Sequence, residues 1–204
     1  MDLGVRAQES SLSGIFGQGE RLCMPPYQRS YSWGEREALD LLGDLAEATD
    51  SNIPHFIGAI VLVNGAESGM VEIVDGQQRL TTLTILLAVL RDLEPDKERA
   101  AALHAMIADD PRPMLGEAAN WRLTLNYMDG AFFRDTIQRL GATKTLRNEP
   151  GESDSQQRMV GNASALLKEL KQMPDERRHA LTDTVVTGCA LVRVVVNDKD
   201  QGFK

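Results

Sequence analysis

Residues 71–93 read VEIVDGQQRLTTLTILLAVLRDL, and the hydrophobic period changes part-way along. Val71-Glu72-Ile73-Val74 is short and branched, as a strand requires. After Asp75-Gly76 the leucines fall at Leu80, Leu83, Leu86, Leu87 and Leu90, the stripe of a core-facing helix over Gln77–Leu93. The stretch therefore predicts a strand, a tight turn and a helix. Just upstream, Phe56–Val63 is rich enough in branched residues to be a largely buried strand. Asn64-Gly65 and Ser68-Gly69 bracket a reversal between the two strands, so they are expected to pair as an antiparallel hairpin.

Further upstream, Leu39, Leu42 and Leu45 follow at helical spacing after Ser32 and Glu35, which have the spacing of a capping box. This predicts a helix from about Gly34 to Ala48, broken by Asp50-Ser51-Asn52 and Pro54. Pro25-Pro26 forbids helix there and stiffens the Tyr27–Trp33 loop. Residues Ile15–Met24 read as irregular or strand-like.

Downstream, Lys97–Ala108 and Trp121–Leu140 are expected to be helical, separated by Pro111-Arg112-Pro113. Arg147–Gln157 has the composition of a mobile loop, and helices are expected on each side of Pro174. Ala190–Val196 closes the pattern as a branched, alternating strand. The fold class is α+β, a small sheet packed with helices plus a helical lobe. The expected division is a core at 1–95, a helical lobe at 96–183 and a final strand at 184–204 that returns to the core.

The chain has 204 residues, 42% hydrophobic and 25% charged, enough for one sizeable core and unlike a disordered chain. A net charge of −8 excludes a surface that coats polyanions, so contact with nucleic acid has to be local. Cys23 and Cys189 lie too far apart in sequence for a metal knuckle or a disulfide framework. With no apolar leader in Met1–Ser13 and no span-length apolar run, the expected location is the cytoplasm.

Asp75-Gly76-Gln77-Gln78-Arg79 is the sharpest candidate site. A helix start directs unpaired backbone amides and a positive dipole end outward, a geometry that favours an anion. Gly76 allows close approach, Gln77 and Gln78 offer neutral donors, Arg79 supplies a fork for phosphate oxygens, and Asp75 suits a metal ion or a water. The plain structural alternative makes Asp75 a helix cap, leaves Gln77 and Gln78 solvated and gives Arg79 a carboxylate partner. Pro26, Tyr27, Gln28, Arg29 and Tyr31 form a second candidate, a stiffened recognition loop whose rings would stack on bases and whose Arg29 would meet a phosphate. Trp33 and His55 are expected to pack, while His104 and His179 fall on helices and are expected at the surface. Histidine-metal nuclease, phosphate-loop and serine or cysteine triad signatures are missing from the sequence.

Pro26-Tyr27-Gln28-Arg29, Tyr31-Ser32-Trp33, His55-Phe56-Ile57-Gly58 and Asp75-Gly76-Gln77-Gln78-Arg79-Leu80-Thr81-Thr82 together resemble the N-terminal domain of GmrSD-type modification-dependent restriction enzymes, in that family's order. The resemblance covers about the first ninety residues well and the rest in general character. It implies a ParB/sulfiredoxin-like fold and hydrolysis of GTP or another nucleoside triphosphate. It also implies defence against phage or foreign DNA with modified bases or a phosphorothioate backbone. Asp75, Gln77, Gln78 and Arg79 would form the signature site. Family members carry a C-terminal HNH nuclease domain not found in these residues, and the chain stops before an Asn-x-Arg-Gly-like segment, so a fragment of a longer enzyme is expected.

On these grounds the first reading is a nucleotide-hydrolysing, DNA-sensing domain. Nucleotide phosphates would bind at Gly76–Arg79 with Arg29 approaching, and Mg would be held through Asp75. The alternative is a non-hydrolysing module that grips a modified DNA backbone, with an apolar wall from Pro26 and Tyr27 favouring sulfur. A third, a homo-oligomerisation or inhibitor-binding module, rests on 40–75, which hold seven carboxylates and no lysine or arginine; a solvated acidic face is the simpler account.

Overall fold

A computed structural model describes residues 5–17, 19–51, 55–64, 69–111, 114, 119–146 and 151–196. Its centre is a mixed sheet of six strands in the order β1-β8-β3-β4-β2-β7. The strands are β1 (Val5–Ser10), β2 (Arg21–Cys23), β3 (His55–Asn64), β4 (Met70–Asp75), β7 (Leu123–Thr124) and β8 (Cys189–Val196). A separate pair, β5 (Ala108–Asp109) and β6 (Asn120–Trp121), lies outside it. The α+β class and the β3–β4 antiparallel pairing agree with the sequence. The hairpin's tip, 65–68, lies outside the described residues, as do 52–54, 112–113, 147–150 and 197–204.

β8 enters the sheet between β1 and β3, antiparallel to the first and parallel to the second. β2 runs parallel to β4 on one side and to β7 on the other. Two bulges interrupt β3 and β4. One lies between Phe56 and Ala59 against β8, and the other leaves Val74 without a partner opposite β3. Bulges of this kind bend a strand and redirect its side chains, and both fall beside the Asp75–Arg79 turn.

The helix α3 (Gln77–Leu93) has the length expected of it but not the expected single apolar face. It is buried on all sides, packed among α4 (Lys97–Ala105), α6 (Asp154–Gln172) and the sheet. Thr81, Thr82 and Thr84 make this feasible, because each hydroxyl donates to a carbonyl one turn back and so enters the core satisfied. α2 (Glu35–Ser51) packs on α6.

Several expectations change. Ser32 does not cap α2: the Gly34 N–H donates to Glu37 Oε2 at 2.9 Å, and Ser32 is occupied with Gln78. Ile15–Met24 is not irregular throughout, since α1 (Leu12–Phe16) ends within it and β2 follows. The first half of Trp121–Leu140 is not helical. Leu123 is fully buried on the sheet edge, and Leu22 N–H donates to Arg122 O at 2.8 Å, so sheet pairing overrides helical propensity there. Helix begins only at α5 (Gly130–Phe133) and continues as a π-helical turn, Arg134–Gln138. Asp154–Gln157 already belong to α6, capped by Ser153, and α7 (Asp175–Asp183) follows Pro174. His104 and His179 are half-buried and contact Arg91 and Glu94, respectively. No helix among the described residues is long and apolar enough to cross a membrane.

Candidate functional site

The turn from β4 to α3 depends on Gly76, whose φ of +91° is left-handed backbone that a side chain strains. A Cβ there would also stand 2.7 Å from Ile60 Cγ2. No side chain caps α3; Asp75 Oδ1 instead accepts the N–H of Gly76 at 2.8 Å and the carboxylate stays exposed. The positive end of a seventeen-residue helix is thus left without a side-chain cap beside an exposed carboxylate.

Arg79 leaves the first turn of α3 and lies flat on β3 at its bulge. A Cβ on Gly58, itself at φ +110°, would come within 2.7 Å of Arg79 Cζ, so bare backbone is what lets the guanidinium rest there. Its Nη1 lies 3.5 Å from Ala59 O and its Cζ 6.0 Å from the Trp33 ring centroid. No carboxylate pairs with Arg79 among the described residues, whereas Arg91, Arg99, Arg122, Arg177, Arg178 and Arg193 each reach one. A groove of about 460 Å³ opens over it, lined by Trp33, Glu37, Asp40, Asp44 and His55. Hydrogen bonds from its own N–H and that of Gly34 hold the Glu37 carboxyl below the usual carboxylate range. One wall of the groove therefore stays anionic.

The two glutamines do not stand in solvent. Gln78 is 6% exposed; its Oε1 accepts from Ser32 N–H at 2.7 Å and Trp33 N–H at 3.3 Å, and its Nε2 donates to Ser30 O at 3.3 Å. It is the clasp that holds the recognition loop to α3. Gln77 is buried as well.

Of the recognition loop, Pro26, Tyr27 and Arg29 are exposed, Tyr27 by 56%. Gln28 Nε2 donates at 2.8 Å to Val74 O, on the residue the β4 bulge leaves unpaired, and so fastens the loop to the strand that ends in Asp75. Tyr31 departs from its expected place on the surface. It is 3% exposed, burial pushes its phenol up, and its hydroxyl meets Thr82 Oγ1 at 2.8 Å and Asn162 Nδ2 at 2.6 Å. The ring is a core strut and cannot stack on a base.

Two residues assigned no site role from the sequence support it. Gly58 carries a weak sequence signal, a glycine inside a strand pattern. Asn162, fully buried on α6, bonds both Tyr31 and Trp33 O, and nothing local in the sequence marks it. Among the described residues no cluster of three metal-ligating side chains occurs. Burial pushes the Cys189 thiol up to about 11, which removes it as a nucleophile near neutral pH.

The four motifs that the sequence spreads over 26–82 are thus in mutual contact, and a family model agrees with them. The model for the GmrSD restriction endonuclease N-terminal domain matches residues 12–204. The chain belongs to this family. The match runs through the helical lobe and β8, beyond the ninety residues where the motifs lie, and leaves only β1 outside it among the strands. No curated protein matches the sequence. In this GmrSD N-terminal domain, Arg79 lines the groove and Asp75 is exposed at the turn before it, while Gln78 and Tyr31 build the scaffold beneath.

Proposed function

We propose that this GmrSD-family domain binds and hydrolyses a nucleoside triphosphate, GTP or another, and couples this to sensing modified double-stranded DNA for an HNH nuclease domain of the full-length enzyme. The observation that carries the reading is Arg79: it has no carboxylate partner among the described residues, and a glycine at a bulge lays it beside an uncapped helix start. Its fork would take phosphoryl oxygens and stabilise charge developing on them, with the α3 amides as further donors. Arg29, exposed on the loop clasped by Gln78, would approach the same anion. Asp75 would orient the attacking water.

Magnesium fits this arrangement as a companion of the nucleotide, not as a resident ion. One exposed carboxylate at Asp75 is the sort of single protein ligand Mg²⁺ uses when phosphates and waters complete its shell. The ion would supply charge neutralisation on the phosphates; orienting and gripping fall to Asp75 and Arg79.

The burial of Gln77 and Gln78 favours a second reading, since two of the four signature side chains are removed from solvent and a purely binding site needs fewer groups. Here Arg79 and Arg29 would hold a DNA phosphate, or its phosphorothioate, against Pro26 and Tyr27 without hydrolysis. Initial rates of triphosphate hydrolysis by full-length protein, wild type against Asp75→Ala and Arg79→Ala, separate the two. Turnover lost in both variants supports the first reading. Absence of any turnover in wild type, with retained binding to modified duplex, moves the conclusion to the second.

A further inference from the structure

The carboxyl ends of three parallel, adjacent strands leave the sheet together. Cys23 of β2 stands opposite Glu72 of β4 and Thr124 of β7, so the segments that follow, through Pro26, Asp75 and Tyr127, leave the same end of the sheet. Crevices beyond the carboxyl ends of parallel strands are where open sheets bind ligands. Two of these exits carry the site above. The third, Leu125–Asp129, has no role in it.

That third exit is a tight turn with an unusual tip. Asn126 Oδ1 accepts the N–H groups of Met128 and Asp129, each at 3.2 Å, and Asn126 O accepts Gly130 N–H at 2.8 Å. Asn126 and Asp129 are buried, and Ser155 of α6 donates to Asp129 Oδ1 at 2.7 Å. Turn tips are usually glycine, asparagine, aspartate or serine. Here the tip is Tyr127, 83% exposed, and Met128, also exposed. The backbone beneath is anchored on both flanks while its aromatic ring is held out in water.

We propose that Tyr127 is a nucleobase-stacking platform, the third part of the binding surface at this end of the sheet. The other two exits decide the occupant. Arg29 and Arg79, at the exits of β2 and β4, have no carboxylate partner among the described residues and call for phosphate, and a base carried by that phosphate would meet a flat, exposed ring. Tyr127 and Met128 together are too small an apolar patch for a protein partner. The inference rests on the function proposed above, and the base would belong either to the bound nucleotide or to DNA.

Full-length wild type, Tyr127→Ala, Tyr127→Trp and, as a control on the opposite edge strand, Val5→Ala are compared in two assays. These are anisotropy with labelled modified duplex and the KM for triphosphate hydrolysis. Tyr127→Ala is expected to weaken one of them on the order of tenfold, with Tyr127→Trp and Val5→Ala close to wild type. A loss confined to anisotropy assigns the base to DNA, and one confined to KM assigns it to the nucleotide. Wild-type values for Tyr127→Ala in both assays, or equal losses in Tyr127→Trp, overturn the platform and leave the proposed function standing. Wild type that neither binds duplex nor turns over nucleotide overturns both.

Discussion

The two ends of α3 carry one arginine each, and their surroundings treat them in opposite ways. Arg91, near the carboxyl end, is 1% exposed and fully engaged. Its Nε donates to Asp92 Oδ1 at 2.7 Å, Nη1 to Gln138 O at 2.6 Å and Nη2 to Arg139 O at 2.9 Å. Asp92 in turn accepts from Gly141 N–H, Thr143 N–H and the Thr143 hydroxyl. Together they pin 138–143 to the central helix. Arg79 at the amino end has bare backbone beneath it and lies over the face of the Trp33 ring, with no counter-charge among the described residues. The same side chain is thus a structural rivet where donors and acceptors match, and a ligand-gripping group where the fold leaves its donors over.

This contrast can be broken at several points. Arg91→Ala should show the largest loss of stability, about 3–5 kcal/mol, because it strands the Asp92 carboxylate in the core. Urea unfolding measures it, and a loss under about 1 kcal/mol would mean that the pin is ornamental. Arg79→Ala should do the reverse, cutting triphosphate turnover on the order of a hundredfold with an unfolding midpoint near wild type. If it destabilises as Arg91→Ala does, the proposed division between the helix ends is wrong.

Gly58→Ala tests the seat of Arg79. Positive φ and the clash with the guanidinium should cost about 1–3 kcal/mol and lower turnover toward the Arg79→Ala level. In the double variant the two activity losses should not add, since both act through one side chain. Additive losses would place Gly58 outside the arginine's influence.

The smallest effect is acid sensitivity at the Arg91 end. Burial pushes Asp92 up, but the hydrogen bond and charge of Arg91, with Thr143 and Gly141, outweigh it and hold the carboxyl below the usual range. Its contribution is present above the unfolded aspartate value near 4 and is lost as the pH falls through the lower folded value. Burial and the Arg91 charge lower His104, against the pull of Asp110. The unfolded chain therefore takes up that proton more readily, and stability starts to fall below about pH 6.5. His104→Gln should flatten this first part of the decline in urea midpoints measured from pH 7 to pH 5. An unchanged slope would remove His104 from the account.

Legibility followed the range over which each feature is encoded. The strand, turn and helix of 71–93 were readable because period and the Asp75-Gly76 break are local. The final strand was readable too, though not its seat between β1 and β8's other neighbour, β3. β7 was hidden, because two residues have no period and only pairing with β2 makes Leu123–Thr124 a strand. The full burial of α3 was masked by its threonines, whose polarity vanishes once their hydroxyls turn back on the helix. Gln78 and Tyr31 looked like contact residues because their chemistry suits a ligand as well as it suits a loop clasp or a core strut.

The sequence by itself determined the helix after the 26–33 loop, the β3–β4 pair, the glycine turn at Asp75-Gly76 and the helix that follows it, while β1 and α1 were not legible in it. Periodicity and backbone freedom act over a few residues and are written in them. Only the tertiary structure decided which polar groups remain for an outside partner. A donor is spent or spare according to groups distant in sequence, as Ser30–Trp33 spend Gln78, Asn162 and Thr82 spend Tyr31, and Gly58 leaves Arg79 available.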